Sequence, residues 1–456
     1  MTLSVDQILA LAPDPASAKA GTAQSGANKW SGLGGNAQAL WGLCQGSGKE
    51  PYKAQIDVAG PAFKCSCPSR KFPCKHGLGL YLLYARESAA FADSTAPAWV
   101  TDWLQSREDR SEKKAAKLAD AQAEQTPEEM AAKAASQQKR LEKRAGNVET
   151  GLDVLDIWLG DLARDGLASL RSKPQKEWEN MAARLVDTQA AGLAGRLRRS
   201  GMLVYGSGAA GWEVQVAREL AQLALLSQAY RRLASLPAPL QDDVKAAIGW
   251  VVAQDDVLAQ RGLTDLWEVC GNLTQDDERI SRRSCFLRAS TTGRWAALMQ
   301  FSAGAQALPP PLLPGTWHQG TLHFHPGALP LRVAFGSDMA MVGAPAQAEP
   351  VASNITTLLG EYAAALSTQP FLEHYPMQLE CVLPALVDAG TAAFELQAEN
   401  GASLPIDPRF RHGWHLHALA GGARARVFGL WNGYSFLPLS TTIAGRIYPL
   451  DGEGVR

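Results

Sequence analysis

Apolar and polar residues alternate from Tyr52 to Val58. Tyr52, Ala54, Ile56 and Val58 share one side, and Lys53, Gln55 and Asp57 share the other. A period of two predicts a half-buried strand. Gly60-Pro61 reads as a turn, and Ala62 to Cys65 is a short strand that completes a hairpin. From Gly77 the run Leu78-Gly79-Leu80-Tyr81-Leu82-Leu83-Tyr84, continuing to Ala90, predicts a helix with a wide buried face. Ahead of the hairpin, Trp30-Ser31-Gly32-Leu33-Gly34-Gly35 is glycine-rich and reads as turn.

The pattern changes after residue 92. From about 105 to 145 the chain is rich in charge and alanine and has no aromatic residue, which predicts exposed helices. Thr126-Pro127-Glu128-Glu129 is a capping box that opens the second of them. Leu152, Leu155, Leu159 and Leu162 recur at helical spacing, as do Trp178, Met181 and Leu185, with Gln189 one turn on. A further helix is expected from Trp212 to Leu236, ended by Pro237 and Pro239. These segments predict a helical bundle. Beyond 280, Arg282–Ser290 and Arg294–Phe301 flank Thr292-Gly293, and Val427–Trp431 and Tyr434–Leu439 flank Asn432-Gly433. Both read as hairpins. Proline-rich loops at Pro309, Pro310, Pro311 and Pro314 lie between them, with a helix expected around Ile355 to Leu366.

The resulting fold class is multidomain α+β. An N-terminal ββα module (1–92) precedes a charged, Ala-rich helical linker (93–147). A helical domain (148–280) and an antiparallel, strand-rich α+β domain (281–456) follow.

Composition narrows the function classes. The 456 residues carry 44 Lys plus Arg against 45 Asp plus Glu, a net charge of -1. That excludes a uniformly basic chain that coats nucleic acid, but leaves room for a local patch. No apolar run approaches the roughly 18 residues of a membrane span. The first basic residue is Lys19, which argues against a secretory signal, so a cytoplasmic protein with no membrane partner is expected. Seven cysteines are too few for a disulfide scaffold. Three of them fall between Cys65 and Cys74, a clustering that points to a metal.

Cys65-Ser66-Cys67 and Cys74-Lys75-His76 together form Cys-x-Cys, six residues, Cys-x-His. Three thiols and one imidazole suit a tetrahedral zinc ion and disfavour calcium and magnesium. Cys65 and Cys67 end the hairpin, while Cys74 and His76 lie where the helix begins, whose positive end favours a thiolate. The metal clips hairpin to helix. With all four positions filled by protein, one structural zinc is expected and no catalytic residue.

These residues, including Cys-Ser-Cys-Pro before the loop and Cys-Lys-His after it, resemble the SWIM zinc finger. Ala39-Leu40-Trp41-Gly42, Gln45-Gly46-Ser47-Gly48 and Pro51-Tyr52 upstream are similar to bacterial SWIM proteins of this size. Ala182-Ala183-Arg184-Leu185-Val186-Asp187 carries a weaker likeness. The resemblance implies a ββα zinc-binding fold, the ligands Cys65, Cys67, Cys74 and His76, and a role in binding DNA or other proteins. It also implies protein partners of the AAA-type ATPase or von Willebrand A-domain kind.

Between Lys49 and Arg86 seven basic residues face two acidic ones, Glu50 and Asp57. Lys64, Arg70, Lys71, Phe72 and Lys75 are the expected contacts to DNA or RNA, phosphates on the cations and a base on the ring. A protein-contact surface fits the same patch equally well. Other signals carry less. Gly206-Ser207-Gly208-Ala209-Ala210-Gly211 matches Gly-x-Gly-x-x-Gly, but a dinucleotide site needs a strand before it, and an inter-helix turn is expected instead. His323-Phe324-His325 and His415-Leu416-His417, with His318 and His412 nearby, form a second metal site only if their strands pair. Cys44 reads as a buried thiol, and Asp255-Asp256 and Asp276-Asp277 as helix-terminal pairs. No nucleophile–base arrangement emerges, so no enzyme is expected.

Overall fold

The computed structural model describes residues 3, 5–9, 11–46, 50–58, 62–69, 71–107, 109, 127–206, 212–277, 280–303, 308–345, 354–388, 390 and 393–450. The N-terminal domain is a five-stranded sheet of β1 (Trp30–Gly35), β2 (Ala39–Cys44), β3 (Tyr52–Asp57), β4 (Ala62–Cys65) and β5 (Ala92–Asp93), in the order β4-β3-β2-β1-β5. The antiparallel pair β3–β4 and the helix Lys75–Arg86 are the expected ββα unit, set at one edge of this larger sheet. Gly60-Pro61 lies outside the described residues.

Trp30–Gly35 is a strand, not a turn. Its glycines serve packing. Gly34 pairs with Trp41, and a Cβ on it would sit 2.6 Å from the indole, so the missing side chain makes room for the ring. The turn comes one residue later, where Asn36 Oδ1 accepts from the backbone N–H groups of Gln38 and Ala39.

Two helices cross on the ligand-bearing face of the sheet, Pro15–Gln24 and Lys75–Arg86. Small residues set their approach from both sides. A Cβ on Gly21 would meet Leu78 Cβ at 2.7 Å, and one on Gly79 would meet Gln24 Cβ at 2.6 Å. Leu78, Leu80, Leu82 and Leu83 are fully buried there with Leu40, Ile56 and Phe63. On the opposite face a helix at 98–107 places Val100 against Ala39 and Trp41. That cover buries Gln55, which faces away from the ligands, and Arg107 pairs with Asp57 at 3.3 Å. The packed N-terminal unit thus runs past the expected boundary at 92.

Pro127–Asp165 is one continuous helix of 39 residues that passes through the expected boundary at 147. It is exposed at 135–142 and buried at Val148, Leu152, Leu155 and Leu162. The helix changes from solvated to packed without a break because the leucine stripe begins inside it. Gln175–Asp187, Ala191–Tyr205, Trp212–Arg231 and Ala238–Ile248 complete a bundle. Trp158 and Trp178 meet edge to face at 5.1 Å in its core. Thr126 and the first expected linker helix beyond residues 105–107 and 109 lie outside the described residues.

Strand begins again at Leu263, ahead of the expected start at 281. β6 (Leu263–Asp277) is buried along Trp267, Val269 and Leu273, a two-residue alternation that overrides the helical reading. Asp276-Asp277 ends this strand, whereas Asp255-Asp256 does occupy a helical first turn. β6, β7 (Ile280–Ala289), β8 (Trp295–Ala303), β9 (Trp317–Phe324) and β10 (Arg332–Phe335) form a sheet that closes on itself, since β10 pairs with both β8 and β9. β11 (Ala340–Val342) adds to β9. The last sheet runs β14 (Ser403–Pro405), β13 (Ala393–Gln397), β12 (Tyr375–Asp388), β15 (Ala425–Trp431), β16 (Phe436–Ile443) and β17 (Arg446–Pro449). The helices Ile355–Thr368 and Gly413–Ala420 pack on it. The β15–β16 hairpin has a four-residue loop rather than a two-residue one. Asn432 Oδ1 accepts from the N–H groups of Tyr434 and Ser435, and Gly433 takes φ +94°.

The bundle docks on this last domain through charge. Arg196 and Arg199 pair with Glu373 at 2.7 and 2.8 Å, and Arg196 also donates to the Phe371 carbonyl at 2.8 Å. Burial works to raise the Glu373 pKa, but Arg199 and Arg196 hold it down at about 2.

The helix crossing over the ligand-bearing face yields a direct expectation. Gly79→Ala forces a methyl group against the backbone of Gln24 and costs about 1–3 kcal/mol. A thermal melt of the N-terminal domain should show the loss although no ligand is altered, and an unchanged melt would contradict the close packing.

Candidate metal centre

β4 turns Phe63 and Cys65 to the same side, toward the helices, because strand side chains alternate. Phe63 stands edge to face with Tyr81 of the Lys75–Arg86 helix at 6.2 Å, which fixes the end of the strand. The chain then bends through Cys67 and the loop 68–73. Ser66 Oγ accepts from the Lys53 N–H at 2.9 Å, and Ser69 Oγ from the Lys71 N–H at 3.2 Å.

Cys74 is the N-cap of the next helix. Its backbone is extended and its sulfur accepts from the Gly77 N–H at 3.5 Å. A serine or aspartate commonly holds such a position, and a thiolate there gains the same donor and the positive helix end. His76 follows in the first turn. The residue is 5% exposed, and its ring packs on Tyr52 with centroids 5.0 Å apart. A Cβ on Gly77 would come within 3.0 Å of Phe63, so glycine lets the helix start lie close on β4.

One ligand atom from each of Cys65, Cys67, Cys74 and His76 lies within 4.8 Å of the others, and Cys65 Sγ stands 3.8 Å from His76 Nδ1. Tetrahedral Zn–S and Zn–N bonds imply edges of about 3.6–3.8 Å, so the donor set fits a zinc ion. The electrostatics call for one. A hydrogen bond from Cys65, with help from His76 and the Gly77 N–H, lowers the Cys74 pKa to about 4. The same bond with Cys74, together with burial, pushes the Cys65 thiol far up, and burial raises Cys67. Because Cys65 and Cys67 resist deprotonation beside Cys74, the three sulfurs do not all become thiolates without a cation. A zinc ion bound there would displace the thiol protons, and Cys65, Cys67, Cys74 and His76 would fill its tetrahedral positions.

The five expected contacts do not form one patch. Lys64 is exposed but pairs with Gln55 across the β3–β4 register, so it points to the face away from the ligands. Lys71 reaches back 2.7 Å to Asp14, the carboxylate that also caps the Pro15–Gln24 helix through the Ser17 N–H. That bond to Lys71 lowers the Asp14 pKa. Phe72 is 41% exposed and stands edge-on to Phe63 at 6.3 Å, and Lys75 is exposed in the first helical turn. Arg70 lies outside the described residues. Two residues of the site were not anticipated. Asp14 was legible as an N-cap before Pro15. Tyr52 was read only as a strand residue, although it shares the strand face that points at His76.

The second histidine group does not assemble. His323 lies on β9, with Nδ1 2.8 Å from the Gln260 carbonyl. His415 and His417 lie on the Gly413–Ala420 helix rather than a strand, so a spacing of two sends them to different sides, and His417 Nδ1 is 2.8 Å from the Pro384 carbonyl. Among the described residues only the Cys3His set gathers metal-type ligands. Cys44 is buried at the end of β2, 3.8 Å from Gln24 Oε1, and burial raises its pKa. Residues 207–211 lie outside the described residues. The element before them is the helix Ala191–Tyr205, so no strand precedes the glycines.

Two outcomes follow for the metal. Cys74→Ser retains an N-cap acceptor but removes a ligand, so the variant should lose stoichiometric zinc in a metal analysis; full retention would contradict the assignment. Zinc binding displaces the protons of Cys65 and Cys67, whose pKa values are raised. Its apparent affinity should therefore fall by about two powers of ten per pH unit as pH drops from 8 to 6.5. Chelator competition across that range measures it, and a flat profile would contradict the proton count.

Residues 64–85 match the SWIM zinc finger, and residues 143–248 match the SWIM-associated four-helix bundle domain. No curated protein and no solved structure was found to match. The chain therefore carries a SWIM zinc finger with the ligand set Cys65, Cys67, Cys74 and His76, followed by a SWIM-associated helical bundle domain.

Proposed function

We propose that the chain is a non-enzymatic binding protein whose finger contacts nucleic acid, DNA or RNA, with zinc in a purely structural role. The observation that carries this reading is Phe72, a large aromatic residue left 41% exposed on the knuckle between the ligand pairs, three positions before the exposed Lys75. An exposed ring flanked by cations is what base stacking and phosphate contact require. Arg70 adjoins it in sequence, and Lys64 serves only a strand that wraps the sheet edge. The closed ligand set supports a structural metal, because no position remains for a substrate or a water.

A second reading, an adaptor without nucleic-acid contact, is favoured by the helical bundle. Ile157, Val214 and Met202 stand more than half exposed on its helices. Apolar residues left in water on a folded helix bundle suit a protein partner. By resemblance that partner is an AAA-type ATPase or a von Willebrand A-domain protein. No helix among the described residues is long and apolar enough to cross a membrane. Six free cysteines among the described residues suit a reducing compartment, and on that ground we propose the cytoplasm.

Titration of the zinc-loaded full chain against labelled single- and double-stranded DNA and RNA tests the first reading. Phe72→Ala with Lys75→Ala should weaken binding about tenfold or more and flatten its salt dependence. Binding unchanged by that pair would move the contact away from the finger and favour the adaptor reading.

A further inference from the structure

The barrel of β6 to β10 has a specific connectivity. The order around it is β6-β7-β8-β10-β9 and back to β6, with β8 and β10 parallel and the other pairs antiparallel. This is the strand order of the OB barrel, whose second and third strands form a face that takes oligonucleotides or oligosaccharides. The first strand behaves accordingly. It is 15 residues long, its early part pairs with β9, its remainder pairs with β7, and its register shifts between Val269 and Gly271.

In this chain β7 and β8 are the second and third strands. Cys285, Leu287 and Ala296 point into the barrel, and the alternate positions point out. One end of the outward face is covered, because Phe286 and Trp295 pack on Phe428 of β15 at 5.9 and 5.3 Å. The other end is open. There Arg282 stands opposite Phe301, which is 50% exposed, and the Arg332 guanidinium lies 5.7 Å from the Phe301 ring. Arg282 and Arg332 are partly buried, and no ion pair to either is seen among the described side chains. Arg282 donates to the Gln275 side-chain oxygen instead. Arg199 adjoins from the bundle, and Glu373 nearby is shared between it and Arg196. Burial lowers the pKa of both arginines, with Arg199 adding to the effect at Arg282 and Arg282 at Arg332. Positive charge is held here at a cost that an anion would relieve.

We infer that the open half of the β7–β8 face is a second binding site, for single-stranded nucleic acid, with phosphates on Arg282 and Arg332 and a base stacked on Phe301. Among the described side chains the arginines here outnumber the acids, which selects a polyanion over a neutral oligosaccharide, and the exposed ring selects one with bases. The site is separate from the finger and rests on none of its residues.

The test is fluorescence anisotropy of the zinc-loaded full chain with labelled oligo-dT and oligo-U over a salt series. Arg282→Gln with Arg332→Gln should weaken binding at least tenfold and reduce the log–log salt slope by about 1.4, the share of two single-strand phosphates. Phe301→Ala should weaken it about 5- to 150-fold, while Phe301→Tyr and the double Arg→Lys variant should retain most of it. The conservative variants separate lost contacts from lost folding. Binding that survives the barrel variants but is lost in Phe72→Ala with Lys75→Ala would overturn the barrel site and leave the finger reading standing. Heparin bound as tightly as the oligonucleotides, with Phe301→Ala neutral toward both, would also overturn it.

Discussion

Three sulfurs and an imidazole nitrogen held within 4.8 Å of one another are the constraint on which the N-terminal domain depends. One thiolate can be held there by hydrogen bonds from its neighbours, but three thiolates so close repel one another without a cation. The sequence around the ligands is arranged to make the close approach possible. Cys74 takes the N-cap, where a backbone N–H and the helix end favour its charge. Gly77 lets the helix lie against Phe63, and Tyr52 backs the imidazole. An ion bound by these four residues would join a strand end to a helix start, and the buried face of that helix carries much of the domain core.

From this junction the order extends outward by packing. The helix Lys75–Arg86 is crossed by Pro15–Gln24 through reciprocal glycine contacts, and the carboxylate that caps the second helix also holds Lys71 of the knuckle. The finger is thus part of a two-faced sheet domain rather than a free module. That changes what the basic residues can do. Lys71 is already engaged, Lys64 faces away, and Phe72 with Lys75 remains for a ligand. The charge excess visible in sequence is divided by the fold between bracing the knuckle and facing solvent.

Much of this was legible beforehand where a local rule decides the outcome. Cys-x-Cys and Cys-x-His located the metal ligands, the alternation over Tyr52 to Val58 located β3, and the leucine and tryptophan periodicities located the bundle helices. What escaped needed a partner distant in sequence. Trp30–Gly35 is a strand because Trp41 lies over its glycines, and no local propensity reports that. The 39-residue helix hid a boundary because it changes environment rather than conformation. β6 was missed because its two-residue alternation is broken by a bulge, and the barrel could not be seen until β10 was known to pair with both β8 and β9. His415 and His417 shared a face only while they were read as strand.

The central claim is that zinc holds the finger together and is not needed by the rest of the chain. Hydrogen exchange read peptide by peptide, with zinc bound and after chelation, tests it most directly. The account predicts that chelation strips protection from β3, β4 and the helix Lys75–Arg86, while the bundle over 143–248 and the barrel strands keep theirs. Protection of the finger that is unchanged by chelation would contradict it.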